Sequence, residues 1–431
     1  MIFTIVYGVA KKGGVMSIFL LDDKPIIKSP LETDFYKYPM GQAISRYHPN
    51  IHVKVVFINR TKDVRLADMI SIERLKEELD HAFSLKHENS DLHYLRGTNE
   101  YDNRMFDETF LNSLREPPKF EYELGKEDGQ FKIEVAGNWM DAMRAEIFVL
   151  KIVNALYVDA LFWKLTRKER IAVSDEAQRR LEEKVRLFKL WVWITFADFG
   201  NRRAANPLWH EYVVRFLKEN LSPEQFLGTS NVYLAQRYNL MPIGTMAHEL
   251  YIVLSALYDN LAESQKAVLN MWWELYGRGL SIALPDTYGT DFFLEHVFTP
   301  ELARLWKGSR QDSGDPFAYG EKLIAYYKKH HINPMEKIII PSNGLVMEEM
   351  RRIGEYFKGR INVSFAPGTS QTFDLPGFKP VSIIMKPFEA NGVALSKLSD
   401  DIGKATGTRE AIKRDMIRAG YTNTYSTTPT Y

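Results

Sequence analysis

The sequence predicts an α/β protein, an irregular (β/α) barrel joined to a smaller mixed α/β domain. Three observations carry this. The chain of 431 residues is 45% hydrophobic and 13% aromatic, which is enough to bury two cores. From about Trp193 onward, short apolar runs alternate with helical patterns about seven times in succession, as a parallel sheet with crossover helices reads. Those runs end, one after another, in polar or glycine-rich clusters. In a (β/α) barrel all such ends meet on one face, and that face carries the active site.

Taken in order, the first domain is assigned to residues 16–150. Within it His52–Asn59 alternates apolar and polar residues as a strand does, and Ile72–Phe83 has helical spacing. Glu121–Glu123 and Gln130–Val135 read as two strands joined through Gly125–Gly129. Ala142–Trp163 and Asp175–Leu190 read as long helices, the second with a core stripe of Ala177, Leu181, Val185 and Phe188. The barrel is assigned to residues 151–380. Its strand candidates are Trp193–Ala197, Gln225–Leu227, Leu240–Ile243, Ser281–Leu284, Leu305–Lys307, Lys337–Ile340 and Ile361–Phe365. Ser382–Lys386 and Val393–Leu398 form a closing pair of strands in residues 381–431, expected to pack back on the first domain.

Composition excludes several kinds of chemistry. There are no cysteines, so disulfides, thiolate catalysis and cysteine-held metals are ruled out. A net charge of +1 gives no reason to expect nucleic acid or a membrane surface as partner. No apolar run reaches the ~18 residues that would span a bilayer, and a cytoplasmic location is expected. Residues 1–15 could be an appended leader, with Met16 as the effective start.

The segment Pro242–Leu250 runs an apolar stretch into Gly244-Thr245 and sets His248 at the start of a helical pattern. An imidazole placed there can act as a nucleophile or a general acid/base, although a lone histidine is more often structural. Arg202, Arg203 and Arg310 are cationic forks for phosphate or carboxylate. Backbone N–H groups at Gly368-Thr369 could hold a phosphate; a plain tight turn is the equal alternative. Asp312 is free to accept from sugar hydroxyls, or to cap the helix near Pro316. Asp286 could orient His248 and stabilise its imidazolium. Together these residues suit an anionic, phosphorylated sugar.

These residues resemble the nicotinate phosphoribosyltransferases from about Leu31 to Lys404. The matching motifs are Thr33-Asp34-Phe35-Tyr36-Lys37, Asp198-Phe199-Gly200-Asn201-Arg202-Arg203, Gly228-Thr229-Ser230-Asn231 and Gly244-Thr245-Met246-Ala247-His248-Glu249. Asp286-Thr287, Arg310-Gln311-Asp312-Ser313-Gly314-Asp315-Pro316 and Lys397-Leu398-Ser399-Asp400 complete the set. The resemblance implies the type II phosphoribosyltransferase barrel. It also implies that nicotinate couples to phosphoribosyl pyrophosphate, giving nicotinate mononucleotide and pyrophosphate in NAD salvage. ATP hydrolysis would be coupled through a phosphohistidine at His248, and Mg²⁺ would travel with pyrophosphate. A homodimer with shared sites is expected, Tyr36 stacking on the pyridine ring from the neighbouring chain. Arg310 and one of Arg202 and Arg203 would meet the carboxylate or phosphates, Asp312 the ribose hydroxyls, and Gly368-Thr369 the 5′-phosphate. Thr229, Ser230, Asn231, Ser313, Gly314, Asn343 and Gly344 complete the expected substrate-binding set.

The chain departs from the family pattern at three places. Asn343 in Ser342-Asn343-Gly344 replaces an expected aspartate, which should weaken a contact to sugar or metal. Ala366 and Pro367 stand in Phe365–Thr369 where Gly-Ile is expected, and Pro367 removes a backbone donor. Pro285 stands where threonine is expected. Asn343, Ala366 and Pro367 keep open a ligand-binding paralogue without turnover; the other alternative, a phosphoribosyltransferase for nicotinamide or quinolinate, is opposed by the motifs around His248 and Arg310.

Overall fold

The computed structural model describes residue 21 and residues 25–100 and 103–421; the leader expected at 1–15 lies outside them. The chain is a mixed α/β protein. Its first half is organised around a five-stranded antiparallel sheet, whose strands are β1 (His52–Asn59), β2 (Phe120–Glu127), β3 (Gln130–Asn138), β11 (Ile383–Ala390) and β12 (Val393–Ala394), in the order β12-β11-β1-β3-β2. One face of β1 and β3 is buried at every second residue, the period-2 pattern of a half-buried strand. The hairpin between β2 and β3 is tighter than expected. Glu127 pairs with Gln130, and only Asp128 (φ 50°) and Gly129 (φ 73°) turn the chain, an Asp-Gly pair suited to a two-residue loop. Gly125 continues the strand, so the break expected over 125–129 shrinks to two residues.

The expected closing pair of strands is rearranged. Ile383–Ala390 pairs antiparallel with β1, Asn59 opposite Ile383. Val393–Ala394 adds to its edge, whereas Ser396–Lys397 forms a separate ladder with Thr406–Gly407. The helix Ala145–Trp163 is buried on nearly all sides, as expected for a helix packed between layers. It is preceded by a separate short helix, Trp139–Ala142. The helix expected from Asp175 begins at Arg167, because Thr166 and Glu169 form a capping box there.

Seven short parallel strands follow: β4 (Phe196–Asp198), β5 (Phe226–Thr229), β6 (Met241–Pro242), β7 (Ile282–Ala283), β8 (Gly308–Gln311), β9 (Ile338–Pro341) and β10 (Asn362–Val363). They form the sheets β4-β5-β6 and β7-β8-β9-β10. A parallel bridge from Phe196 to Phe365 joins them, with Ala197 N–H donating to Phe365 O and Phe365 N–H to Thr195 O, both at 2.9 Å. Among the described residues β6 and β7 do not pair, so no closed ladder is formed. The strand expected at Leu305–Lys307 is misplaced. Thr299 caps a helix over Pro300–Leu305, and the strand starts at Gly308. A Cβ at Gly308 would lie 1.8 Å from Ile338 O, which explains a glycine where backbones touch. A small apolar cluster of Leu261, Tyr288, Leu398, Ile402, Ala405, Ile412 and Ala419 fastens residues 396–421 beside the turn after β7.

Candidate active site

The ends of the parallel strands converge on one cleft of about 980 Å³. Tyr36, Arg202, Arg203, Ser230, His248, Arg310, Asp312, Asn343, Gly344, Gly368 and Thr369 all line it. The remaining expected residues stand behind the wall. Thr229 Oγ1 donates to Asp198 Oδ2 at 2.7 Å, and Asn231 caps the helix Val232–Tyr238 while bonding Asn201 Oδ1. Ser313 Oγ donates to Asp286 Oδ2 at 2.6 Å. Gly314 supplies a turn at φ 74°. These four, and Asp286 with them, hold the site's frame and do not line the cleft.

Asp198, at the end of β4, explains much of the local folding. It is fully buried and accepts from Gly200 N–H, Thr229 Oγ1 and His210 Nε2. Burial works to raise its carboxyl, but His210 and the hydrogen bonds hold it below its ordinary value. Asn201 then donates to Asp34 Oδ1, which also accepts from Ser230 Oγ. The Arg202-Arg203 pair is thereby aimed into the cleft. Gly200 lies against Thr372, where a Cβ would come within 2.3 Å of the side chain. The Gly368–Thr372 turn therefore sits directly on the β4 loop. The carbonyl of Pro367 accepts from Phe199 N–H at 3.0 Å, so the proline that lacks a donor still anchors the turn through its acceptor.

His248 opens the helix His248–Leu254 and is buried. Its Nδ1 lies 3.0 Å from Thr287 Oγ1; its Nε2 lies 3.0 Å from Asp312 Oδ2 and 3.4 Å from Asp286 Oδ1. A triad would place Asp286 on the nitrogen opposite the reacting one. Here both carboxylates address the same nitrogen, and Thr287 takes the orienting position. Burial lowers His248 to about 4, outweighing Asp286 and Asp312, with Lys397 adding to the lowering. Burial works to raise Asp312, but the His248 hydrogen bond and Arg310 leave it well below the carboxylate range. A neutral ring beside ionised carboxylates puts the proton on Nε2, donating to Asp312, and leaves Nδ1 to accept from Thr287. His248, Asp286 and Asp312 each offer an atom within 4.8 Å of the others, a spacing that could admit a cation. His248 Nε2 already bonds Asp312 Oδ2, Asp286 Oδ1 is buried without a hydrogen-bond partner, and Lys397 Nζ sits 3.4 Å from Asp286 Oδ2.

Sequence reasoning missed the second charged group. Glu146 is buried and binds Lys37 at 2.7 Å, Lys386 at 3.0 Å, Arg202 at 3.3 Å and the Tyr36 hydroxyl at 3.1 Å. Lys37 also meets Glu249, which accepts from Trp139 Nε1. Tyr36 is thus fixed within this chain's own cleft, its backbone packed on Gly244. Arg60, Lys386, Lys397 and Lys404 are further cations on the cleft wall. Among the described residues, Arg60, Arg203, Arg310 and Lys404 have no carboxylate within ion-pair distance. Arg310 Nε is buried without a hydrogen-bond partner. Burial lowers Arg203 to about 10, with Arg202 beside it, and it stays charged at neutral pH. A cleft walled by partly buried cations without a carboxylate partner is arranged for an anion.

Comparison with known proteins agrees with this chemistry. Residues 31–154 match the nicotinate phosphoribosyltransferase N-terminal domain, and residues 194–425 match the nicotinate phosphoribosyltransferase family model. The chain belongs to the nicotinate phosphoribosyltransferase family. It is similar to the nicotinate phosphoribosyltransferase of Vibrio cholerae, at 30% identity over 94% of this chain and 96% of that one, TM-score 0.84. It is also similar to the Porphyromonas gingivalis enzyme of the same name, at 27% identity over 92% and 100%, TM-score 0.80. As a phosphoribosyltransferase family member it carries both family domains. No helix among the described residues is long and apolar enough to cross a membrane.

Proposed function

We propose that this protein joins nicotinate to phosphoribosyl pyrophosphate, releasing nicotinate mononucleotide and pyrophosphate, with ATP hydrolysis coupled through phosphorylation of His248. The observation that carries this reading is the neutral, buried His248 ring in a cleft where Arg60, Arg203, Arg310 and Lys404 have no carboxylate within ion-pair distance among the described residues. We further read the two parallel sheets as one open barrel, and expect the protein to work as a homodimer in the cytoplasm.

In the sugar transfer the pyridine nitrogen is the nucleophile towards carbon, so the protein need supply only position and charge. Tyr36 and Phe199 line the cleft as aromatic walls for the ring. Arg310, with its free Nε, and Arg203 are the cations best able to meet the carboxylate and the phosphates. Asp312 sits where ribose hydroxyls would arrive, with its Oδ1 already accepting from Ser342 Oγ at 3.0 Å. Gly368 and Thr369 open a one-turn helix on the wall and would take the 5′-phosphate. Mg²⁺ enters with the pyrophosphate as part of the substrate. In the ATP half-reaction Nε2 is the nitrogen on the cleft side, since Asp312 lines the cleft and Thr287 is buried. Attack from Nε2 on the γ-phosphorus requires the ring proton to sit on Nδ1, whose N–H then donates a hydrogen bond to Thr287 Oγ1. ADP leaves with the electrons of the broken P–O bond. Hydrolysis of the phosphoryl group then regenerates the ring.

The test is product formation from labelled nicotinate and phosphoribosyl pyrophosphate, with and without ATP, for the native protein and His248→Ala. ATP should raise mononucleotide yield in the native protein, and the variant should lose that increase. Absence of product from nicotinate, nicotinamide and quinolinate alike would sink the reading in favour of a ligand-binding paralogue.

A further inference from the structure

Asn343 follows β9 on the cleft wall, and its Oδ1 accepts from Lys404 Nζ at 2.7 Å. The ammonium is therefore held in place by a neutral amide. Among the described residues no carboxylate lies within ion-pair distance of it; Asp312, Asp401 and Asp286 act only from farther off, and Lys397 opposes them. Arg60 Nη2 donates to the Lys404 carbonyl at 2.7 Å, which packs a second unpaired cation beside the first. A neutral acceptor fixes a lysine's direction and leaves its charge uncompensated. An aspartate at the same place would fix it equally well but cancel its field.

We propose that Asn343 is a specificity-determining residue: by holding Lys404 without neutralising it, Asn343 keeps an added positive charge available to the polyanionic, pyrophosphate-bearing ligand. This rests on the reading of the cleft as a phosphoribosyl pyrophosphate site. It reverses the expectation that the amide weakens the site and that a carboxylate would restore it. Asn343→Asp should loosen the ligand, because a close ion pair removes one charge from the wall.

The experiment is calorimetric titration with inorganic pyrophosphate and, separately, with phosphoribosyl pyrophosphate at low ionic strength. It compares the native protein, Asn343→Asp and Lys404→Gln, each checked by circular dichroism and melting. Loss of one wall charge should weaken both ligands roughly 10- to 30-fold, and by similar factors in the two variants. The dependence of affinity on salt should also flatten in both. Unchanged or tighter binding by Asn343→Asp would overturn the proposal. So would native affinity in Lys404→Gln, which decides the matter alone if Asn343→Asp does not fold. Failure of the native protein to bind phosphoribosyl pyrophosphate at all would instead count against the proposed function.

Discussion

Glu146→Gln is the perturbation whose outcome the geometry constrains most. The substitution keeps the shape of a buried side chain and removes the charge that three cations share. Lys37 retains Glu249 at 3.0 Å, so it remains paired. Lys386 and Arg202 retain no carboxylate within ion-pair distance among the described residues. Breaking a buried pair by deleting one partner costs about 3–5 kcal/mol. The lower end applies here, because the Arg202 and Lys386 side chains are 31% and 13% exposed and water reaches both. The expected loss is therefore about 3 kcal/mol at neutral pH. With an unfolding entropy of ~2.1 cal/mol/K per residue, that corresponds to a fall in Tm of roughly 3–4 °C for a cooperatively unfolding chain of 431 residues. Native Glu146 titrates below its ordinary range, because Lys37, Lys386 and Arg202 outweigh its burial. Its contribution is thus full above the unfolded value of about 4.3 and is lost only as the pH falls through the lower native value. Calorimetric melting and urea unfolding at pH 7 and pH 4 measure the difference. Adding Lys386→Met should recover about 1–2 kcal/mol by removing one stranded charge. A Glu146→Gln protein within about 1 kcal/mol of native, with no recovery from the second change, would refute the argument.

Three further outcomes are expected. His248 titrates at about 4 in the folded chain against about 6.5 unfolded, so its contribution to stability, full above pH 6.5, is lost as the pH falls toward 4. The acid limb of the proposed phosphorylation, followed in single turnovers with labelled ATP, should lie near 4, and a limb at 6.5 would mean a solvated ring. Thr287→Val preserves shape but removes the partner of Nδ1; phosphohistidine yield should drop about tenfold, and undiminished labelling would exclude the orienting role. Gly200→Ala drives a Cβ into Thr372 and should cost about 1–3 kcal/mol in urea unfolding, whereas Gly97→Ala, with open space around it, should cost nothing.

The strand-end logic was legible because polar clusters at regular intervals are a local signal. Arg202, His248, Arg310, Asp312 and Gly368 were found that way, and all line the cleft. Glu146 was not, since it lies inside an apolar helix and its partners Lys37 and Lys386 are far away in sequence. Lys404 and Arg60 were hidden because they meet only across 344 residues of chain. The β8 strand was displaced because Gly308-Ser309-Arg310-Gln311 is polar, and its strand character comes from parallel pairing with Ile338–Pro341. A hydrophobic pattern cannot reveal a strand that tertiary pairing imposes. Whether the barrel closes was not legible, since seven strand-like runs do not say whether β6 and β7 pair.

The pairing of β11 with β1 sets a timetable for synthesis. Val53 finds its partner in Ala390, so a nascent chain emerging from the ribosome exposes one edge of β1 through almost the whole of translation. At ~5–20 residues per second that interval lasts tens of seconds, during which an unpaired edge invites association with other chains. Lys386 arrives with the same strand, so the charge on Glu146 also waits for its last lysine. The antiparallel sheet and the cleft floor are therefore completed in one late event, and a chain halted before residue 383 has neither.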